Sequence, residues 1–489
     1  MTSSRLSRRR ALGLLGVGTA SVAAGVAGWS LGLGAPGTPV SPGASGRPLT
    51  EPAEITSRGG LLRVRLSAAP GVRLAGRDTT AWGYNGTSPG PTLRVQPGDV
   101  LRVRLVNHLD QPTNLHTHGV HVAPRGNGDN QFLAIEPGTG FDYEFRIPPD
   151  HPAGTFWYHP HHHGTVADQI FAGLVGALIV DGGPPLGTRE RVLLITDTTV
   201  DSAGHVATVD AMRRIMGREG GLVLVNGQHQ PVITAASGAL ERWRVINGCT
   251  SRVLALRLPG QRLTQAALDG RFLPAPVTRA RVVLAPGNRA DLLIQPTEPG
   301  RYALLAEPYN RGSTMGTGMM GGGSVTSGRV TLAALVVTGL STSPARLPAV
   351  LPAPSAPAGS VSRRRQVTFA MGMRGGMGMG GMRFTIDGRT FEPTRDDQVI
   401  RLGTTEEWTV VNDSPMDHPF HLHVWPVQVR ATSGGGFPSG VQRDVVLVPA
   451  RGWARLRIPF TDYSGRSVFH CHILDHEDAG MMATVHVRG

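Results

Sequence analysis

The chain has little cysteine and no lysine, and the first of these absences excludes a class of protein. Only two of its 489 residues are cysteine, Cys249 and Cys471, which excludes a framework of disulfides. All 48 basic residues are arginine, and the formal net charge is +13. These arginines are spread along the chain without a basic block or interleaved aromatic residues. The pattern therefore excludes a typical nucleic-acid-binding surface.

Aromatic residues are also scarce, at 5%, whereas glycine (66 residues) and proline (38 residues) are plentiful. Many turns between short elements are typical of β-sandwiches and not of helical bundles. With 40% hydrophobic and 17% charged residues, the composition is that of a globular protein. The length predicts about three domains, each able to bury a core.

The N-terminal segment predicts export. Residues 3–13 are rich in arginine, and a stretch of Ala, Gly, Leu and Val follows, as in a secretory signal. The pair Arg8 and Arg9 resembles the twin-arginine signal of bacterial proteins that are exported already folded. We therefore expect a removable signal at residues 1–33, a linker at 34–50, and a periplasmic or extracellular protein without a membrane span. Retention of the segment as an anchor is the alternative.

Three repeats of one unit fill the rest of the chain. Each repeat begins at an Asn-Gly or Asp-Gly turn, continues through an alternating apolar run to an asparagine, and closes with a glycine and a second alternating run. The landmarks are Asn85, Asn107 and Gly154, then Asn226, Asn247 and Gly300, then Asp387, Asn412 and Gly465. Alternation with period two is the pattern of strands. The sequence predicts an all-β protein of three consecutive Greek-key β-sandwich domains.

Breaks in composition give the domain boundaries. The first domain is predicted at residues 51–185, the second at 188–340 and the third at 366–489. A Pro-rich linker, residues 341–365, is predicted between the last two. We expect the protein to be a monomer.

Four His-x-His pairs lie in the first and third repeats, and the second repeat lacks them at the matching positions. They are His116/His118, His159/His161, His421/His423 and His470/His472. Alternate residues leave a strand on the same face about 6.6 Å apart, so both imidazoles of a pair can reach one metal cluster. The residue between His470 and His472 is Cys471, which then faces a second site.

That second site combines a thiolate, imidazoles and a thioether. Cys471, His476 and Met481, together with His418, supply the ligand types of a blue-copper centre. Copper also favours nitrogen ligands, so the eight paired imidazoles suit three further copper ions. The sequence therefore predicts a copper protein with two neighbouring sites.

The segments HTHG, WYHPHHHG, HPFHLH and HCHILDHEDAGMM resemble the copper-binding signatures of multicopper oxidases, such as three-domain laccases and bacterial periplasmic copper oxidases. The resemblance implies cupredoxin-like domains and four copper ions. It implies type 1 copper on His418, Cys471, His476 and Met481, and type 2 copper on His116 and His421. It implies one type 3 copper on His118, His159 and His472, and the other on His161, His423 and His470.

The same resemblance implies the reaction and its acids. One-electron donors, phenolic or otherwise aromatic, are oxidised at the type 1 site, electrons pass through Cys471, and O₂ is reduced to water. Glu477 and Asp129 match family positions near the cluster and are candidates for proton transfer. We expect His162 and His163 to be outer contacts and Cys249 to be a small buried residue.

Methionines add a second expected donor, Cu(I), because thioethers are soft ligands that favour this ion. Two segments rich in Gly and Met are similar to those of bacterial oxidases that act on Cu(I). The candidates for recruiting it are Met371, Met373, Met377, Met379, Met382 and Met416. Ser414 departs from the family pattern, because those relatives have an aspartate at its position.

Several alternatives remain open. One is a plain phenol laccase, in which the Met-rich segments have no part in catalysis or copper homeostasis. Another is a non-catalytic copper-binding or scaffold protein, like the family relatives that act in cell division. A two-domain nitrite reductase is disfavoured by the three repeats. The expected partners are small reductants and O₂, with no nucleic acid.

Overall fold

The computed structural model describes residues 46–187, 189–313, 324–341, 345–354, 359–373, 382–435 and 440–489. The predicted signal, Met377 and Met379 lie outside these ranges. Residues from Gly46 onwards form one compact unit. Within the described ranges, no helix combines the length and the apolar character needed to span a membrane.

Helices are few and short in the described ranges. They are α1 (Val166–Phe171), α2 (Ala211–Met216) and α3 (Leu474–Asp478). Strands form the remaining regular structure.

The first domain is a sandwich of two sheets. Its strands are β1 (Glu54–Thr56), β2 (Leu61–Pro70), β3 (Arg73–Leu74), β4 (Arg77–Asp78), β5 (Trp82–Tyr84), β6 (Thr92–Val95), β7 (Val100–Asn107), β8 (His116–His118), β9 (Gly140–Arg146), β10 (Gly154–His159) and β11 (Gly176–Val180). The sheets have the orders β1-β6-β11-β10-β8 and β5-β2-β7-β9. Leu66, Leu105 and Phe156, all fully buried, belong to the core between them.

The second domain repeats this plan. Its strands are β12 (Arg189–Thr198), β13 (Leu222–Val225), β14 (Val232–Ser237), β15 (Glu241–Asn247), β16 (Leu254–Arg257), β17 (Leu263–Leu268), β18 (Arg271–Arg279), β19 (Val282–Leu284), β20 (Arg289–Ile294), β21 (Gly300–Glu307), β22 (Tyr309–Ser313), β23 (Ser324–Ser327) and β24 (Val330–Ser341). Its two main sheets have the orders β13-β12-β15-β20-β17-β18 and β14-β24-β21-β16-β19, and β22 and β23 form a separate pair.

The third domain is also a sandwich. Its strands are β25 (Val361–Met373), β26 (Met382–Ile386), β27 (Gln398–Arg401), β28 (Thr404–Asp413), β29 (His418–Leu422), β30 (Val427–Thr432), β31 (Gln442–Arg443), β32 (Val445–Val448), β33 (Trp453–Phe460), β34 (Gly465–Cys471) and β35 (Met482–Arg488). The sheet orders are β26-β25-β28-β33-β30-β31 and β27-β35-β34-β29-β32. The predicted all-β fold of three consecutive sandwich domains is confirmed.

The repeated turns of the sequence have one conformation. Asn85, Asn226 and Asp387 have φ angles of 55°, 51° and 50°, and the glycine after each is also at positive φ. Two consecutive residues at positive φ form the tight hairpin turn that matches the twist of paired strands. An isolated β-bridge closes each turn. This explains why the same dipeptide begins each repeat.

A buried asparagine lies at or next to the end of β7, β15 and β28 and shapes the loop that follows. The side-chain amides of Asn107, Asn247 and Asn412 donate to backbone carbonyls at 2.8–3.1 Å. Each side-chain oxygen accepts from the backbone N–H two residues further on. In the first and third domains, this loop leads directly into a histidine-bearing strand, β8 or β29. The repeated asparagine therefore positions the candidate site.

The described elements extend into both segments predicted as linkers. Strand β25 begins at Val361, within the predicted linker 341–365. Near the N-terminus, the Leu49 N–H donates to the Val232 carbonyl at 2.8 Å, so the end of the predicted linker 34–50 lies along the second domain.

Candidate metal centre

Eight histidines from the first and third domains converge into what we call the eight-histidine cluster. They are His116, His118, His159, His161, His421, His423, His470 and His472, each at most 1% exposed. Strand pairing sets their positions. His116 of β8 lies opposite His159 of β10, and His421 of β29 lies opposite His470 of β34.

Three rings of the cluster direct the same kind of atom at one point. The Nε2 atoms of His161, His423 and His470 are each 3.1 Å from the other two. A metal–imidazole bond is about 2.0 Å long, so three nitrogens around one ion lie roughly 3.3 Å apart. This spacing fits a single metal ion, and these are the residues that the family resemblance groups on one type 3 copper.

The second expected trio is less compact. His118 Nδ1 lies 3.3 Å from His159 Nε2. The His472 ring centroid is 5.0 Å from that of His118 and 6.0 Å from that of His159. Among the described residues, His472 belongs to none of the groups of three donor atoms that lie within 4.8 Å of one another. The structure therefore places His472 beside the pair without closing the trio.

His116 and His421 each present one unpaired nitrogen. His116 Nδ1 is held by Asp129 at 2.9 Å, and His421 Nδ1 donates to the Asp444 carbonyl at 2.9 Å. Their Nε2 atoms are buried and have no hydrogen-bond partner in the described part of the chain. A buried polar atom left unpaired costs about 1–3 kcal/mol. A metal ion between the two rings would satisfy both atoms.

The electrostatics of the cluster favour neutral imidazoles. Burial lowers the pKa of His116, His118 and His161 well below 6.5, and neighbouring imidazoles lower it further. Burial also lowers the pKa of His159, to about 3. Neutral rings keep the lone pairs that a metal requires.

A smaller set lies within the third domain, and we call it the Cys471 site. The Cys471 Sγ is 3.2 Å from His418 Nδ1 and 4.0 Å from His476 Nδ1, and the two nitrogens are 3.4 Å apart. Met481 is fully buried, and its backbone N–H donates to the His476 carbonyl at 2.8 Å. Burial raises the pKa of the Cys471 thiol and lowers the pKa of His418 to about 3.

The two sites are joined covalently. Cys471 lies between His470 and His472 in the chain, and its side chain belongs to the Cys471 site while theirs belong to the eight-histidine cluster. Alternation along the end of β34 produces this arrangement. Any electron that enters at the sulfur is therefore one residue from the cluster.

The second domain closes the outer edge of the Cys471 site, a contact that sequence reasoning missed. His476 Nε2 donates to the Ile215 carbonyl in α2 at 2.9 Å. Phe384 stacks on the other side of the ring, with centroids 4.4 Å apart. His476 is consequently fully buried.

Both candidate acids are fully or almost fully buried at the eight-histidine cluster. Glu477 Oε2 lies 3.0 Å from His470 Nδ1, and Oε1 lies 3.6 Å from His161 Nε2. Burial raises the pKa of Asp129 to about 7, although hydrogen bonds from Thr117 lower it in part. Asp129 accepts from His116, so it also fixes which nitrogen of that ring faces the cluster.

Asp444 and Arg289 form a further part of the site that sequence reasoning missed. Asp444 Oδ1 lies 3.0 Å from His118 Nε2, and both carboxylate oxygens accept from the Arg289 guanidinium at 2.6 and 2.7 Å. Arg289 belongs to the second domain, which has no ligands of its own, and is fully buried. The pair holds His118 so that Nδ1 faces His159.

Replacing Asp444 by asparagine tests this contact. The neutral amide removes the closer of two carboxylates beside the buried Arg289 guanidinium and leaves Asp269, at 3.6 Å. It can also turn an N–H towards His118. Outer partners of metal ligands are worth about 10–100-fold in metal affinity or activity. We expect a loss in that range, measured as copper content after dialysis against a chelator.

The exposed ion pair between Asp413 and Arg451 supplies the matched control. Asp413→Asn removes the same charge from the surface of the third domain without touching the cluster. Equal copper retention by both variants would contradict the positioning role of Asp444.

The structure places some of the candidate methionines in or against the third-domain core, and others lie outside the described residues. Met416 is fully buried in the third-domain core, and Met371 and Met382 pack against the same core. The backbone of Met373 ends β25, while Met377 and Met379 lie outside the described residues.

The Ser414 hydroxyl forms a hydrogen bond with a residue close to it in the chain. It donates to Asn412 Oδ1 at 2.7 Å. The flanking acids are also engaged, because Asp413 pairs with Arg451 and Asp417 accepts from the Tyr309 hydroxyl at 2.8 Å. Ser414, Asp413 and Asp417 are therefore each held by a contact within the protein.

His162 and His163 lie beside the cluster, on a cavity that one cluster histidine also borders. With His161 they line a cavity of about 270 Å³ that Phe391 and Met482 also border. Both rings are partly exposed, and burial lowers the pKa of each.

Models of known protein families match each of the three domains separately. Three family models, each described as multicopper oxidase, match residues 68–184, 189–323 and 362–489.

Similar proteins were found among curated sequences and solved structures. A multicopper oxidase of Staphylococcus haemolyticus is 28% identical over 421 residues, which are 83% of each chain. A cell division protein FtsP of Dickeya dadantii is 28% identical over 428 residues, covering 83% of this chain and 85% of that protein. The solved structure of a Campylobacter jejuni multicopper oxidase, described as a metallo-oxidase, has a TM-score of 0.80 at 29% identity and covers 91% of this chain and 96% of its own.

Proposed function

The chain belongs to the multicopper oxidase family, and on that premise we propose that it is an exported oxidase that couples oxidation of phenolic donors and of Cu(I) to reduction of O₂ to water. Each phenol gives one electron and one proton, and each Cu(I) gives one electron. Four such oxidations reduce one O₂ to two waters, with four protons taken up.

We assign four copper ions to the ligand sets expected from the sequence. His418, Cys471, His476 and Met481 hold the first, His116 and His421 the second, His118, His159 and His472 the third, and His161, His423 and His470 the fourth. When bound, copper supplies one-electron redox chemistry and the reduction of O₂. The unpaired, buried Nε2 atoms of His116 and His421 support this assignment.

Residues of the protein itself have different roles at the two sites. Cys471 supplies the soft thiolate and the covalent link to His470 and His472. Glu477, 3.0 Å from His470, is placed to hold a proton beside the cluster. Asp129 fixes the orientation of His116 and can exchange a proton near neutral pH, because its pKa is raised to about 7.

The position of the first Met-rich segment supports Cu(I) as a donor. Residues 314–323 connect β22 and β23. Gly312 at the end of β22 forms a β-bridge with Met416, two residues before His418. This segment is therefore attached beside one histidine of the Cys471 site.

The second Met-rich segment is attached beside the other histidine. Residues 374–381 connect β25 and β26, and Phe384 of β26 stacks on the His476 ring. Both segments are thus connected to strands that contact His476 or the residue two before His418, and this is the observation that carries the Cu(I) proposal.

Substituting the thioethers tests this proposal without shortening the strands. Met377→Leu with Met379→Leu keeps side-chain volume and apolar character, so folding should be little affected. We expect kcat/KM for Cu(I) to fall at least about tenfold, roughly 1.4 kcal/mol, with turnover of a methoxyphenol unchanged. Oxygen uptake by the copper-loaded protein measures both donors, the phenol with and without added Cu(II).

The phenol serves as the internal control for this pair of substitutions. No loss for either donor would favour a plain phenol laccase, and an equal loss for both would contradict a specific role of these methionines in Cu(I) oxidation. The similarity to FtsP favours a scaffold role as a second candidate. Binding of four copper ions without oxygen uptake from any donor would support that role.

A further inference from the structure

A cleft lies between the second and third domains, outside the copper ligands. Its volume is about 470 Å³, within the range of roughly 300–1,000 Å³ typical of small-molecule sites. Leu268 and Leu273 form part of its wall on the second domain, and Leu447 and Pro449 on the third. Sites at domain interfaces with an apolar wall and a few polar groups commonly bind organic ligands.

The polar groups of the cleft are mostly cationic. Arg279, Arg281 and Arg443 all line it. Arg279 donates to the Gln265 side-chain oxygen at 2.8 Å. In the described part of the chain, neither Arg279 nor Arg281 has a carboxylate within 4.0 Å, the limit for an ion pair.

Within the described ranges, the acid in the cleft wall, Asp417, forms no ion pair with Arg279 or Arg281. Asp417 accepts from the Tyr309 hydroxyl with one oxygen and from the Ala450 N–H with the other, at 2.8 Å each. Burial lowers the pKa of Arg443, the nearby Asp269 carboxylate raises it, the Arg279 charge lowers it, and Asp444 raises it. The buried carboxylates therefore compensate Arg443, and Arg279 and Arg281 are the guanidinium groups open to an anion.

We propose that the cleft binds an aromatic carboxylate, with the carboxylate on Arg279 and Arg281 and the ring against the leucine wall. Guanidinium groups bind carboxylates through two parallel hydrogen bonds and also stack on aromatic faces. A neutral phenol would form no ion pair with either arginine. The site therefore selects for the acid.

The cleft lies along the strand that begins at His418. Leu447 of β32 is directly opposite Pro419 of β29, and Val448 is opposite His418. Asp417, in the cleft wall, directly precedes His418. A phenolic acid bound here is placed beside the Cys471 site as an electron donor, and this part of the inference rests on the proposed function.

Calorimetric titration of the copper-loaded protein tests binding separately from turnover. The probes are 4-methoxybenzoate, which is a carboxylate, and 4-methoxybenzamide, its neutral counterpart. We expect the acid to bind at least tenfold more tightly than the amide. The double variant Arg279→Gln and Arg281→Gln should remove that preference, whereas Arg63→Gln and Arg65→Gln, which remove two exposed charges from the first domain, should keep it.

Steady-state kinetics then test the role of the bound acid. With 4-hydroxy-3-methoxybenzoate, KM should rise at least tenfold in the Arg279/Arg281 variant while kcat stays constant, and Cu(I) oxidation should not change. Equal binding of acid and amide by the parent protein, or unchanged binding by the variant, overturns the cleft assignment. Selective binding of the acid without oxygen uptake from any donor instead refutes the proposed oxidase function and leaves the binding site in place.

Discussion

Replacing Cys471 by serine is expected to abolish the blue absorption and to lower oxygen uptake with every donor by at least about a thousandfold, or about 4 kcal/mol in activation free energy. The thiolate is the one soft anionic ligand that His418 and His476 face, at 3.2 and 4.0 Å. A serine hydroxyl fits the space but remains protonated and binds copper weakly. Electrons then lack both their first acceptor and the covalent route to His470 and His472.

Cys249→Ser is the matched control. Cys249 is also fully buried, but it lies in the second domain, and its sulfur is 3.7 Å from the Ile195 carbonyl. Serine can keep this contact, so copper content and oxygen uptake should stay near those of the parent. Copper analysis adds a second readout, because Cys471→Ser should lose one ion per chain and keep those of the eight-histidine cluster. Retention of the blue absorption would show that the thiolate is not the ligand.

The fold could be predicted because its signals are local. An Asn-Gly turn needs two residues at positive φ, and alternation needs only neighbours, so the dipeptides at Asn85, Asn226 and Asp387 are enough to mark equivalent hairpins. The strand that begins at Val361 escaped the sequence reasoning. Its first residues, Val-Ser-Arg-Arg-Arg, lie next to a Pro-rich stretch and show little alternation, yet β28 pairs with them.

The ligand histidines were also visible in the sequence, because a His-x-His pair on a strand requires no tertiary knowledge. Their close partners were not visible. Asp444 contacts His118 across 326 positions of the chain, and Ile215 contacts His476 across 261. Asp444 is an acid that precedes an ordinary apolar strand, and Ile215 contributes only its backbone carbonyl. Neither residue type carries a metal signal by itself.

The second domain also makes contacts that its sequence pattern does not reveal. It lacks ligands, which favours reading it as a spacer. In the structure it supplies Arg289 to the cluster, the Ile215 carbonyl to the Cys471 site, and Arg279 and Arg281 to the cleft. These roles depend on which faces of the three domains meet, and no pattern within one repeat encodes that.

Acidification is expected to destabilise the copper-free protein strongly. The pKa values of His159 and His418 are lowered to about 3, from 6.5. The unfolded chain therefore binds protons that the folded chain does not, and stability is lost as pH falls from about 6.5 towards 3. Between pH 7.5 and 5.5 each such histidine costs about 1.4 kcal/mol.

Other ligand histidines add to this loss in the same direction. The pKa values of His116, His118, His161, His421, His423, His472 and His476 also lie well below 6.5. Asp129, Asp444 and Asp478 act in the opposite direction, since burial raises their pKa values, to about 7 for Asp129 and about 6 for Asp444, and lets the folded chain take up protons first. The histidines outnumber these acids, so the net loss should reach several kcal/mol, a large part of a typical stability of about 5–15 kcal/mol.

Urea unfolding at pH 7.5 and 5.5 measures this effect, with the copper-loaded protein as control. Copper holds the rings deprotonated, so its complex should lose much less stability over the same interval. In the copper-free protein, His159→Gln should reduce the pH dependence by about one histidine's share, because glutamine does not titrate. An unfolding midpoint that stays constant in copper-free protein between the two pH values would show that the folded cluster accepts protons as readily as the unfolded chain, and that its rings are not held neutral for metal.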